Sequence, residues 1–132
     1  MIRAGILGLG YMGSVHVQKI SPIKGIDVFS VHDSDLSKKK AAEEGGFVFF
    51  SDRGDFLAQP DLDLVIIATP NQFHRDYAIE AMRAGKHVVC EKPVTLNTAE
   101  LDDILAVAKE TGKLFTVHQN RRWDSDYLML RD

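Results

Sequence analysis

Gly8-Leu9-Gly10-Tyr11-Met12-Gly13 follows directly on the apolar run Ile2–Leu7 and opens a segment of helical character over residues 12–20. A G-x-G-x-x-G turn between a strand and a helix has a mechanical reading. Gly8 permits the tight turn, Gly10 lets the backbone approach a pyrophosphate, and Gly13 allows the helix to pack closely on the strand. The free N–H groups at the helix start, at Tyr11, Met12 and Gly13, then face the phosphates, with the positive end of the helix dipole behind them.

The same alternation of short apolar run and longer helical segment continues along the chain. Further runs fall at 26–31, 47–50, 64–68, His87–Cys90 and 114–117. Most are continuously apolar, as expected of parallel strands covered on both faces. Residues 97–111 read as a helix: Leu101, Ile104, Leu105 and Ala108 form one stripe, Asn97 with Glu100 reads as a capping box, and Gly112 suits the terminating position. Residues 71–84 read likewise, with Asn71 as cap, Tyr77, Ala78, Ala81 and Met82 inward, and Gly85 as stop. Asp33, Ser34 and Asp35 offer N-caps for a helix over 35–44, and 53–59 reads as a short partial helix. Right-handed crossovers then give an α/β, doubly wound Rossmann fold over residues 1–120. Its six-stranded, mostly parallel sheet has order 3-2-1-4-5-6, with helices on both faces. Residues 121–132 begin a new element with Tyr127, Leu128, Met129 and Leu130, read as the start of a connection to a further domain.

Composition narrows the function classes. With 132 residues, 45% apolar and 27% charged, the chain is globular and of single-domain size. A net charge of −3 argues against a nucleic-acid or anionic-membrane partner. One cysteine, Cys90, excludes a disulfide framework and argues for a reducing cytoplasm. No apolar run approaches the roughly 18 residues that cross a bilayer, and the glycine-punctuated N-terminus lacks a cleavage site.

Asp33 stands 20 residues beyond Gly13, at the end of the second strand. A carboxylate there accepts hydrogen bonds from the adenosine ribose hydroxyls and repels a 2′-phosphate, which favours NAD over NADP. Lys38, Lys39 and Lys40 lie a turn or more into the next helix and read as a solvated face. Ligands of doubly wound sheets bind beyond the carboxyl ends of the strands. The segments in question are Ala68-Thr69-Pro70-Asn71-Gln72-Phe73-His74, Cys90-Glu91-Lys92-Pro93 and His118-Gln119-Asn120-Arg121-Arg122-Trp123-Asp124.

Taken together, the glycine turn, T-P-N-x-x-H after strand four and E-K-P after strand five resemble the Gfo/Idh/MocA oxidoreductases over the whole chain. The resemblance implies an N-terminal dinucleotide-binding domain followed by an α/β domain that supplies the substrate pocket, the acid/base histidine and often a homo-oligomer interface. It implies further that Thr69, Pro70 and Asn71 line the pyrophosphate and nicotinamide-ribose half of an NAD site, and that Glu91 lies beside that ribose. Lys92, before a cis bond to Pro93, would point at the reacting hydroxyl of a sugar or cyclic polyol. Chemistry supports a lysine in that role, since hydride loss from an alcohol requires loss of its hydroxyl proton as well.

His74, at the first turn of its helix, is expected within reach of Glu91 or the cofactor ribose. His16 and His87 read as packing or surface residues, His32 as a neighbour of the adenine, and His118 as half-buried. Five histidines scattered without carboxylate or cysteine partners at ligand spacing predict no metal site. Cys90 reads as a small buried hydrophobe, and Trp123 with Arg122 as a cover for the nicotinamide end or a contact for the further domain. The leading expectation is the NAD-binding domain of a dehydrogenase, inactive by itself. An NAD-using glycoside hydrolase or lyase of the same family and a non-catalytic nucleotide sensor are the alternatives.

Overall fold

A computed structural model describes residues 1–131. It contains one sheet with the parallel order β3-β2-β1-β4-β5-β6, built from β1 (Ile2–Leu7), β2 (Ile26–His32), β3 (Val48–Phe50), β4 (Leu64–Ile67), β5 (His87–Cys90) and β6 (Phe115–Val117). The helices are α1 (Tyr11–Ile20), α2 (Lys39–Glu44), α3 (Arg53–Leu57), α4 (His74–Arg83), α5 (Thr98–Thr111) and α6 (Ser125–Arg131). Asp132, the last residue of the expected connecting segment, lies outside the described residues.

The central strands carry the continuous apolar runs because both of their faces are covered. One face packs Leu7, Val65, Ile67, Val88 and Cys90 against Phe56, Ala78, Ala81, Met82 and Ile104. The other packs Ile6, Val31 and Ile66 against Ile20 and Ala42. Registers are flush at the carboxyl edge: Leu7 is opposite His32 and Ile67, and Cys90 is opposite Ile67 and Val117. The residues that follow β1, β2, β4, β5 and β6 therefore emerge along one rim.

Several helix boundaries differ from the sequence expectation. Asn71 does not cap α4; Pro70 precedes a single 3-10 turn, Asn71–Phe73, and the α-helix begins at His74. Proline fixes the extended backbone that enters that turn, so no side-chain cap is used. The 35–44 segment opens as a 3-10 turn, Leu36–Lys38, with the Asp35 carboxylate accepting from Ser37 N–H. On α5 the buried stripe runs through Ile104 and Val107, while Leu105 is half exposed. Asn97 caps as expected, but the Glu100 carboxylate returns to Leu96 N–H rather than to Asn97.

Phe56, fully buried, fills the space left by the missing side chain of Gly5, where an added Cβ would meet its ring. Replacing Phe56 with Ala is expected to cost about 3–5 kcal/mol, read as a shift in the urea midpoint with unchanged slope. A loss below about 1 kcal/mol would show that this ring is not central to the core.

Candidate functional site

β1 ends at Leu7, and the chain turns at Gly8, whose φ of +99° is closed to ordinary side chains. The turn directs Leu9 N–H to the Asp33 carboxylate, 2.8 Å away at the end of β2. α1 then begins with Gly10 as N-cap and no side-chain cap, so its first N–H groups stay open. A Cβ at Gly13 would overlap the Gly8 carbonyl oxygen, whereas a Cβ at Gly10 would meet no heavy atom within 4 Å. The two glycines thus do different work: Gly13 seats the helix on the turn, and Gly10 keeps the ground in front of the helix clear.

That clear ground belongs to a cleft of about 750 Å³ lined by Gly8, Gly10, Asp33, Lys38, Thr69 and Tyr77 among others. Open amides, a helix dipole and no side chain in the way fit a diphosphate. Pro70 also borders the cleft, and so does His32. Burial and then the Arg53 charge lower the His32 pKa and keep the imidazole neutral. On the far wall Arg53 pairs with Glu80 at 2.6 Å and lies 4.2 Å above the Tyr77 ring, which is stacked on Phe73.

Asp33 is more heavily engaged than its position suggested. Oδ2 accepts from Leu9 N–H and from Lys38 Nζ at 2.7 Å, and Oδ1 accepts from Asp35 N–H. Burial raises its pKa, but the Lys38 ammonium and the two backbone donors outweigh that, so the carboxyl stays ionised below its ordinary range. Lys38 therefore does not belong to the solvated lysine face; the 3-10 turn swings it back onto the acid. Lys39 and Lys40 pair only loosely with Glu43 and Glu44.

The second group of residues assembles past β4, β5 and β6. Glu91, buried, gives one oxygen to two imidazoles: His16 Nε2 at 2.6 Å from α1 and His118 Nδ1 at 2.8 Å from the end of β6. Its other oxygen accepts from Lys92 N–H at 3.2 Å. Burial pushes the Glu91 pKa up, yet the two histidine hydrogen bonds more than reverse this, and the carboxylate is held ionised. The Lys92–Pro93 peptide is cis, and the Lys92 side chain is exposed. Cys90 is buried, and burial pushes its thiol up to about 12, as expected of an inert packing residue.

His74 does not reach Glu91. It is fully buried, with its ring nitrogens 2.9 Å from the Pro93 and Thr69 carbonyl oxygens, so it ties the strand-four turn to the strand-five turn. His16 is likewise no surface residue. It shares the sheet-facing stripe of α1 with Gly13 and Ile20, a spacing of three and four residues that the sequence already contained. Asn71, Tyr11 and Trp123 are exposed at the rim, and the Arg122 guanidinium lies over the Trp123 ring.

A parallel sheet of this order, with an uncapped helix start and a carboxylate closing the second strand, fits the dinucleotide-binding class of Rossmann domain. Residues 2–119 match the oxidoreductase family with NAD-binding Rossmann fold, and the chain belongs to this Gfo/Idh/MocA family. It is 37% identical over 98% of its length to the uncharacterized oxidoreductase YdgJ of Escherichia coli. Identity is 33%, again over 98%, to IolW of Bacillus subtilis, a scyllo-inositol 2-dehydrogenase (NADP(+)). A solved NAD-binding protein from Listeria innocua superposes with a TM-score of 0.94 at 45% identity, over 98% of this chain. The chain spans 38%, 36% and 39% of those three proteins' lengths. No helix among the described residues is long and apolar enough to cross a membrane.

Glu91 has a testable pH signature. Because its folded pKa lies below the ordinary 4.5, its ionised form stabilises the fold fully above pH 4.5, and that contribution is lost as pH falls through the lower folded value. In Glu91→Gln, stability measured by urea titration is expected to fall less steeply with acidification below pH 4.5. Equal acid slopes in the two proteins would contradict the assignment.

Proposed function

We propose that this chain is the cofactor-holding part of a dehydrogenase that prefers NAD and acts on a hydroxyl of a sugar or cyclic polyol. The observation that carries the reading is the Asp33 carboxylate, fixed by Leu9 N–H at the mouth of the cleft beside the open amides of α1. Gly8, Gly10, Tyr11, Met12 and Gly13 would hold the diphosphate. Asp33 would take the adenosine ribose, Thr69, Pro70 and Asn71 would line the other half of the cofactor, and Glu91 would face its second ribose. A bound nicotinamide dinucleotide supplies the hydride acceptor.

Lys92 Nζ would donate a hydrogen bond to the reacting hydroxyl oxygen and join the relay that carries its proton to the acid/base histidine expected in the further domain. Glu91 orients that lysine by accepting from its backbone N–H, and His16 and His118 hold Glu91. His74 fixes the adjoining turns through the two carbonyls it joins. The polyol class draws support from the inositol dehydrogenase relatives. A further α/β domain following residue 120, carrying the substrate pocket, agrees with the greater length of those relatives. A single buried thiol accords with a cytoplasmic protein.

Fluorescence titration with NADH and NADPH tests the reading. NADH is expected to bind more tightly, and Asp33→Asn to narrow the ratio by about tenfold, equivalent to about 1.4 kcal/mol. Tighter binding of NADPH by the unmodified chain would overturn the NAD preference, and failure of both to bind would overturn the cofactor assignment. Gly10→Val is expected to melt close to the unmodified chain, since its position is open, yet to lose most NADH affinity.

A further inference from the structure

His16, Glu91 and His118 come from three elements separated by up to 102 residues in sequence, yet their ligating atoms all lie within 4.8 Å of one another. The sequence showed no histidine with a partner at ligand spacing; the fold supplies that spacing by bringing α1, β5 and β6 to one rim. We propose that these three residues form a site for a divalent transition metal such as zinc, and that the metal competes with the dinucleotide for Glu91. Only the competition rests on the cofactor reading above.

Two imidazoles and one carboxylate are a donor set that zinc takes in three-ligand sites, with the fourth position left to water or another ligand. The two histidines converge on the same carboxylate oxygen at 2.6 and 2.8 Å, with their rings tilted 62° to each other. Ligands of a tetrahedral zinc stand about 3.4 Å apart, so seating an ion there opens the two histidine–carboxylate separations by roughly 0.6–0.8 Å. Proton balance is simple. Ligation needs His16 Nε2 and His118 Nδ1 unprotonated, with the ring proton of each on its other nitrogen, and neither His16 Nδ1 nor His118 Nε2 is hydrogen-bonded among the described residues. His16 and Glu91 are buried, while the His118 side chain keeps 35% of its surface exposed and gives the ion an approach from the rim.

Cobalt(II) is the probe, because its visible bands report coordination directly. The chain is expected to bind one Co²⁺ with bands of four- or five-coordinate type, and Zn²⁺ is expected to bleach them. His118→Asn keeps an N–H donor for Glu91 but removes the ligand, so it separates ligation from hydrogen bonding. Its affinity is expected to be at least about tenfold weaker, since even partners outside the coordination sphere cost that much. Circular dichroism of the variant establishes that it is folded, and His118→Gln serves as a second variant should it not be. Absence of saturable Co²⁺ binding, or unchanged bands in the folded variant, would overturn the site. Added Zn²⁺ is expected to raise the apparent NADH dissociation constant in the unmodified chain and not in the variant. An unchanged constant would overturn the competition, while failure of NADH to bind at all would strike the cofactor reading and leave the cobalt result standing.

Discussion

The rim of this sheet depends on how closely the first helix sits on the turn that precedes it. No side chain fits between Gly13 and the Gly8 carbonyl. That contact aims the α1 amides outward, places Leu9 N–H on Asp33, and carries His16 down to Glu91. A helix displaced outward by one methyl group would loosen all three. The binding surface and the polar tie behind it are therefore consequences of a single steric constraint near the N-terminus.

Glu91 is the second organising point. It joins α1, the segment that follows β6 and the Lys92 turn through one carboxylate with four hydrogen-bonding sites. Burying such a charge is unfavourable unless its lone pairs are satisfied, and here both oxygens are occupied. Asp33 repeats the pattern at the other end of the cleft, with Leu9, Asp35 and Lys38 as its donors. Each half of the proposed cofactor site thus has one ionised acid at its back, held by donors from the turns that follow the strands and, for Glu91, from α1.

Sheet order, strand positions, the steric roles of Gly8 and Gly13 and the place of Asp33 at the end of β2 were legible in the sequence because each follows from local spacing. Strand ends moved by a residue, and α4 began three residues later than Asn71, because Pro70 set the entry. What local spacing could not give was pairing across the fold. Lys38 folds back through a 3-10 turn that its run of lysines disguises. His16 and His118 meet only because β1, β5 and β6 share a register, and His74 exchanged its expected carboxylate for two carbonyls. In each case the partner lies on an element far away in the chain or across an irregular turn, where no local spacing points to it.

Cys90 has a consequence for handling the molecule. Its sulfur is enclosed by the core and stays protonated at any ordinary pH. The chain therefore behaves toward maleimides as though it were thiol-free. A cysteine introduced at an exposed rim position such as Asn71 or Trp123 would take a fluorophore at that place alone, without first removing the native sulfur.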